Sequence, residues 1–238
     1  TYDGSTMRLY VDGELVETSQ ARSGDIDYSD ASFTLGAYVD DNEFWGMDGK
    51  IHEANLYATT LSDEEIRAVH TNGLRGTGIG TAGPNKPESA KLARDLQVLY
   101  EFERPDDVGW NSAKGGKSAS QTGPAGAKVV QDVKAPRIGK GAGDFSANDA
   151  TLKVHADDMQ RLMPDAVGSV TFSCWFKSSS RVANHTIWGL SNEPIPSPLY
   201  STNVANAMLA THMVADWDMG RESYARALLD LPVDDPAF

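Results

Sequence analysis

The chain begins with alternating apolar and polar residues, a pattern that is typical of paired β-strands. Met7, Leu9 and Val11 alternate with polar neighbours. The Asp12-Gly13 pair then supplies a tight turn before the apolar pattern resumes. The pattern therefore predicts a β-hairpin at the start of the chain. A hairpin this small cannot bury its apolar face alone, so we expect it to be covered by residues farther along the chain or by residues that precede Thr1.

Strand and turn patterns continue to residue 57, after which the period of the apolar residues changes. Ser62 and Glu65 have the spacing of a capping box, and Leu61 and Ile66 are placed to form a hydrophobic staple. Gly73 can end the helix in the left-handed conformation. These signals predict one short helix that follows the last strand of the first segment.

A Gly- and Pro-rich stretch, residues 77–95, separates this first segment from a second one. It contains Gly78-x-Gly80-x-x-Gly83, which formally matches a dinucleotide-binding fingerprint. A predicted helix precedes the stretch where a strand is required, and Pro84 follows where a phosphate-binding helix would begin. We therefore interpret residues 77–95 as a linker.

Strand patterns resume in the second segment and give way to helical spacing near the end. Ala, Met and Leu recur at helical intervals after residue 200, which predicts a helical tail. The predicted organisation is residues 1–76, strands and a closing helix; residues 77–95, a linker; residues 96–199, strands; and residues 200–238, the tail.

Several motifs in the two segments resemble one known family. The first segment reads TYDGSTMRLYVDGELVE, FTLGAY and MDGKIHEANLYATTLSDEEI. These stretches resemble the late hairpin, the next strand and the closing strand with its helix in laminin-G-like jelly-roll domains of the concanavalin A-like lectin and glucanase superfamily. In the second segment, LQVLYEFE, GKGAGDFSANDATLKV and GSVTFSCWFKSS resemble the early strands of the same domain. The resemblance implies an all-β, concanavalin A-like jelly-roll sandwich.

The order of these motifs leaves two arrangements open. The C-terminal half of a jelly roll precedes an N-terminal half, so the halves could complete one another as a permuted sandwich. Alternatively, the chain could be a piece of a tandem array whose missing halves lie elsewhere. An unpaired half-sandwich exposes a sheet face and a row of backbone donors. We therefore favour a single self-complemented sandwich.

Charge excludes some classes of partner. The chain has 34 acidic and 21 basic residues and a net charge of −13, which disfavours nucleic acids and anionic membranes. The sequence contains no apolar run long enough to span a bilayer, and its first residues lack the pattern of a signal peptide. We expect no nucleic acid and no membrane insertion.

The candidate catalytic groups do not form a recognisable active site. Glucanases of this superfamily carry paired glutamates in an E-x-D-x-x-E strand, because glycoside hydrolysis requires an acid and a carboxylate. Here the nearest equivalent is Glu101 and Glu103, which we expect on one face of a strand that Pro105 interrupts. Cys174 lies in an apolar alternation and is predicted to be an inert buried thiol. We predict that the chain is not an enzyme.

Calcium is the cofactor that the resemblance implies. Related jelly rolls often hold a structural calcium near the first and last strands, with a carboxylate of an I-D-E segment. His52 replaces that aspartate here, while Glu53 remains. Calcium requires six to eight oxygen ligands, and acidic loops supply further candidates. The candidate metal ligands are Asp40, Asp41, Glu53, Asp144 and Asp149.

Aromatic residues beside polar ones indicate a candidate sugar site. Phe44 and Trp45 follow Asp41 and Asn42 in one loop. A sugar stacks its C–H face on an aromatic ring, while its hydroxyls need polar partners. We predict that these four residues bind glycan, and Trp110 with Asn111 is a weaker candidate pair.

Together these features favour a non-catalytic, extracellular or cell-surface module that binds carbohydrate or mediates adhesion within a larger protein. Its expected partners are glycans or extracellular proteins. Two alternatives remain. The chain could be a structural unit that associates with its own copies by strand exchange, or an accessory domain of a glycan-degrading enzyme.

Overall fold

The computed structural model describes residues 1–20, 23–24, 26, 31–39, 44–80, 92–113, 116–122, 127–134, 138–146, 150–163, 168–178 and 187–192. The predicted helical tail after residue 200 lies outside these residues. In chain order the elements are β1 (Met7–Val11), β2 (Glu14–Ser19), β3 (Ala31–Leu35), β4 (Ala37–Val39), β5 (Phe44–Gly46), β6 (Gly49–Tyr57), α1 (Asp63–Leu74), β7 (Leu96–Tyr100), β8 (Ser120–Thr122), β9 (Val130–Asp132), β10 (Ala142–Asp144), β11 (Thr151–Val154), α2 (Ala156–Leu162), β12 (Thr171–Ser178) and β13 (Trp188–Asn192).

The larger of the two main sheets is built around β6. Strand β12 pairs with β6 along one side, and β7 and β10 pair with it on the other, all antiparallel. Strand β9 extends the sheet beyond β10. The central strand therefore comes from the first segment, and the four strands around it come from the second.

The second main sheet has the order β13-β3-β11-β8. Strand β3, from the first segment, lies between β11 and β13, and both pairings are antiparallel. Each main sheet therefore combines strands from both segments within one chain. This pairing satisfies the backbone groups on both sides of β3 and β6, which would otherwise be open edges.

Both sheets contribute to one hydrophobic core. Phe33 and Leu35 of β3 and Ile51 and Leu56 of β6 belong to the same buried cluster. Phe33 also lies 6.0 Å from the ring of Phe172 in β12. Antiparallel sheets that share a core in this way confirm the predicted all-β fold and are consistent with a concanavalin A-like β-sandwich.

The predicted N-terminal hairpin is present. Strands β1 and β2 pair antiparallel, and the turn residues Asp12 and Gly13 have φ values of 51° and 78°. A Cβ atom on Gly13 would lie 3.0 Å from the ring of His70 in α1. The hairpin turn therefore packs against the helix, which supplies part of the cover that the small hairpin needs.

The start of α1 agrees with the sequence prediction, whereas its end does not. Ser62 and Glu65 form both hydrogen bonds of the capping box. The helix continues through Gly73 to Leu74, so Gly73 does not terminate it. A Cβ atom at Gly73 would overlap the indole ring of Trp175 in β12. Gly73 thus allows close packing of α1 on the sheet, a tertiary requirement that the local sequence does not reveal.

Two further features differ from the expectations. Helix α2 was not predicted; it is short, and its N-cap residue His155 makes no side-chain capping bond. At the start of the predicted linker, Ile79 is only 6% exposed and Gly80 packs against Glu101. These residues pack on the sheet, while residues 81–91 lie outside the described part of the chain.

None of the helices in the described ranges is both long and apolar enough to cross a membrane.

Candidate functional site

The predicted glycan-binding aromatics lie on a short hairpin formed by β4 and β5. Val39 pairs with Phe44, and Tyr38 pairs with Trp45. The backbone pairing places Phe44 and Trp45 directly after the connection between the two strands. Asp41 and Asn42 of that connection, the side chains of both aromatic residues, and Asp40 lie outside what the structure describes. The glycan-binding assignment of these four residues therefore stays a prediction.

The base of this hairpin is fixed to the core. The Met47 N–H donates to the Gly36 carbonyl at 2.7 Å, and the Gly36 N–H donates to the Ile187 carbonyl, also at 2.7 Å. Thr34 Oγ1 donates to the Ala37 carbonyl at 2.7 Å. Met47 is fully buried. These hydrogen bonds and the buried Met47 attach the base of the hairpin to the core.

The weaker pair, Trp110 and Asn111, has a structural role. Asn111 is 3% exposed, and its Oδ1 accepts the Leu99 N–H at 2.9 Å. Its Nδ2 donates to the Gln97 carbonyl at 2.9 Å. The guanidinium of Arg104 lies 4.1 Å from the centre of the Trp110 ring. The amide of Asn111 is used within the fold, and one face of the indole is covered, so we do not retain this pair as a sugar site.

Glu53, a predicted metal ligand, occupies a bulge in β6. His52 pairs with Trp175 and Ala54 pairs with Cys174, which leaves Glu53 without a cross-strand partner. Its φ of 26° is unusual for a residue other than glycine. A bulge changes the direction of a side chain relative to the regular strand. The glutamate at this bulge, Glu53, is only 4% exposed.

The Glu53 carboxyl contacts the residues that follow α1. Its Oε1 accepts the Ile79 N–H at 2.9 Å. A Cβ atom on Gly78 would overlap Oε2, so any other residue there would displace the carboxyl group. Oε2 itself has no hydrogen-bond partner. Burial raises the pKa of Glu53 to about 7, and repulsion from Glu101 acts in the same direction.

This environment does not fit calcium. One carboxyl oxygen is occupied by the Ile79 N–H, and Gly78 covers the other. Asn55 Oδ1 is a second buried oxygen without a partner, but two such oxygens fall well short of the six to eight that calcium requires. Within the described ranges no group of three or more His, Cys, Asp or Glu side chains could hold a metal ion.

Asp144, another predicted ligand, lies near a lysine. Its Oδ1 accepts the Ser146 N–H at 2.9 Å. Lys50 bonds to Asp132, and this bond, with a further contribution from the Asp144 charge, raises the pKa of the Lys50 ammonium. The Lys50 ammonium therefore already pairs with Asp132 and offsets part of the negative charge at this point of the sheet. Asp149 lies outside the described residues, as does the acidic loop at residues 40–43, so calcium binding there stays a prediction.

Glu101 and Glu103 do not form the expected strand face. Strand β7 ends at Tyr100, and Phe102 has a φ of 57°, which breaks the alternation between the two glutamates. A Cβ atom on Gly80 would overlap the Glu101 carboxyl. Glu103 Oε1 accepts the Lys140 N–H at 2.6 Å. Both glutamates therefore pack against segments from elsewhere in the chain.

Cys174 packs against the core from β12. Burial raises the pKa of its thiol to about 12. A thiol that stays protonated at neutral pH is a poor nucleophile. This agrees with the interpretation of Cys174 as an inert residue.

Comparison with known proteins finds one family model that is similar to the first part of the chain. Residues 1–67 match the family model of the laminin-G-like group described as the concanavalin A-like lectin/glucanases superfamily. This range contains β1 to β6 and the first residues of α1. No curated protein and no solved structure matches the chain. The resemblance drawn from the sequence is therefore confirmed for residues 1–67, which carry the laminin-G-like pattern of the concanavalin A-like lectin/glucanase superfamily.

Proposed function

We propose that this chain is a non-catalytic carbohydrate-binding or adhesion module that works outside the cell as part of a larger protein. The observation that carries the proposal is the family match of residues 1–67, since laminin-G-like domains are generally non-catalytic and typically extracellular. The β-sandwich that these residues form with the second segment agrees with that family.

The β4–β5 hairpin is the proposed binding site. In the sequence, the aromatic pair Phe44 and Trp45 of β5 closely follows the polar residues Asp41 and Asn42. An aromatic ring supplies a stacking surface for a sugar, and carboxylate and amide groups bond its hydroxyls. The net charge of −13 favours neutral glycans over sulfated ones, because like charges repel at the distances at which partners first meet.

The two alternatives have less support. Strand exchange between copies is not needed to complete β3 or β6, because each has strand partners on both sides within the chain. The accessory-domain alternative shares the same binding site and differs only in the neighbouring domain. Binding to glycan is therefore the property to test first.

The test is a comparison of two tryptophan variants on a panel of neutral and sulfated glycans. We expect the unmodified chain to bind at least one neutral glycan and Trp45→Ala to weaken that binding by about tenfold or more, equivalent to ~1.4 kcal/mol. Trp110→Ala is the matched control, because its ring is covered on one face by Arg104. It should retain the affinity.

Three results would count against the proposal. One is the absence of binding by the folded chain across the whole panel. Another is equal affinity of the unmodified chain and Trp45→Ala, which would move the site away from the hairpin. The third is release of reducing sugar from laminarin, agarose, xylan or chitin that Glu101→Gln or Glu103→Gln abolishes, which would indicate a hydrolase.

A further inference from the structure

The residues that follow α1 are joined to β6 through a set of contacts that neither the family match nor the glycan site explains. Ile79 donates its N–H to Glu53 Oε1 at 2.9 Å, and its side chain is buried. A Cβ atom on Gly78 would overlap the Glu53 carboxyl group, and a Cβ atom on Gly80 would overlap the Glu101 carboxyl group. The Gly-x-Gly sequence therefore places backbone directly against two carboxyl groups.

We propose that Glu53, Gly78 and Ile79 form a metal-free closure, which fastens the chain after α1 to the central strand β6 in place of a calcium ion. The closure joins residues 26 positions apart in the sequence. The partners of the Glu53 carboxyl group in this closure are the Ile79 N–H, which donates to Oε1, and the backbone of Gly78, which packs against Oε2. The closure therefore makes the attachment of α1 to the sheet independent of calcium.

The contacts around the carboxyl support a closure that works with a neutral group. Asn55 Nδ2 donates to Ser173 Oγ at 3.2 Å, which orients the amide. Asn55 Oδ1 and Glu53 Oε2 are both buried acceptors without a partner. Asn55 Nδ2 also donates to Glu53 Oε1 at 3.5 Å, so the amide adjoins the carboxyl group. A cation would need several more oxygen atoms than these residues supply. Glutamine at position 53 would keep an oxygen acceptor for the Ile79 N–H without a charge.

The closure also explains why the segment at 77–80 does not behave as the expected linker. The chain leaves α1 through hydrogen bonds from the Thr77 N–H to the Asn72 carbonyl at 2.9 Å and from the Gly76 N–H to the Gly73 carbonyl at 2.9 Å. These bonds direct it back over the sheet. The buried side chain of Ile79 and the bond to Glu53 then hold it there.

Amide hydrogen exchange of Ile79 tests the closure in the full chain at about pH 5, with chelator and with millimolar calcium. We expect the Ile79 amide to be protected equally in both conditions and in Glu53→Gln. Protection should fall by about tenfold or more in Glu53→Ala, which removes the acceptor. Glu14→Gln is the control for charge, because Glu14 is exposed and its ion pair with Arg67 of α1 lies at the surface, where such pairs contribute little to stability.

The melting temperature provides a second measurement that does not depend on one amide. Gly78→Ala should lower it, because the new Cβ atom displaces the carboxyl group. Gly189→Ala is the comparison for a tight contact without overlap, since the nearest atom to a Cβ there is Thr34 Oγ1 at 3.1 Å. A Gly78→Ala variant that does not fold while Gly189→Ala folds supports the closure as well.

The effects of chelation and of added calcium on the protein distinguish the closure from a metal site. Loss of Ile79 protection on chelation, or a calcium-induced rise in melting temperature that Glu53→Gln abolishes, would overturn the proposal. A calcium-induced rise that persists in Glu53→Gln would place metal elsewhere, and the closure would stand. Equal melting temperatures of Gly78→Ala and the unmodified chain would also overturn it.

Discussion

Replacing Glu53 by glutamine should stabilise the protein at neutral and alkaline pH. The carboxyl is 4% exposed, and its pKa is raised from 4.5 to about 7 because burial disfavours the charged form. Glutamine keeps the size of the side chain and an oxygen for the Ile79 N–H, but it never ionises. The variant therefore removes the cost of a buried charge while it keeps the closure.

The sign and the size follow from linkage between protonation and folding. The folded state binds a proton at Glu53 more tightly than the unfolded state, so this residue lowers stability progressively as pH rises from 4.5 to about 7. Above that range the full cost is present, and it amounts to about 3 kcal/mol. Below pH 4.5 the carboxyl is neutral in both states and the cost disappears.

Urea unfolding of both proteins across this pH range is the assay. The free energy of unfolding of Glu53→Gln should exceed that of the unmodified chain by about 3 kcal/mol at about pH 8, and the difference should shrink towards zero at about pH 4. Taking the difference at each pH cancels the effect of the other acidic residues. The exposed control Glu14→Gln should show no comparable dependence on pH.

A difference between Glu53→Gln and the unmodified chain that is the same at every pH would refute this reasoning. So would a lower stability of Glu53→Gln at about pH 8, since it would show that the ionised carboxyl is stabilised in the folded state.

Three further outcomes test the packing. Cys174 should react with a thiol reagent at about pH 8 much more slowly in the folded protein than in denaturant, because it is partly buried against the core and burial raises its pKa to about 12; reaction at equal rates would contradict the raised pKa. Gly36→Ala should cost about 3 kcal/mol of unfolding free energy, because a Cβ atom there overlaps Phe145. Gly24→Ala is the control, since Gly24 also has a positive φ but has open space around it; equal losses in the two variants would assign the effect to the backbone alone. Ser62→Ala should lower the unfolding free energy of the protein by about 1 kcal/mol, measured by urea unfolding, because it removes the N-cap of α1.

The elements that could be predicted from the sequence are those specified by neighbouring residues. The Asp12-Gly13 turn and the Ser62–Glu65 capping box depend on contacts across three or four positions, and both are present as predicted. The family pattern at residues 1–67 is likewise contained in consecutive residues. Local geometry is sufficient in these cases because each signal and the contact it specifies lie in one short stretch of chain.

The failed predictions concern residues whose partners are distant in the sequence. Gly73 has the local character of a helix terminator, but it lies within α1 because Trp175 needs the space. Glu101 and Glu103 would share a face if β7 continued, but the strand ends at Tyr100 and each carboxyl contacts a segment from elsewhere in the chain. No signal near these positions in the sequence reports those contacts.

The sequence by itself therefore determined the class of fold, the first hairpin and the start of α1, because alternation, turns and caps act over a few residues. Only the tertiary structure decided that β6 pairs with β12, more than a hundred residues later, and that Glu53 accepts a hydrogen bond from the Ile79 N–H. Burial raises the pKa of Glu53, and the hydrogen bond from the Ile79 N–H opposes that shift. Burial and backbone donors change the energy of a carboxyl group, and both depend on segments that come together only when the chain folds.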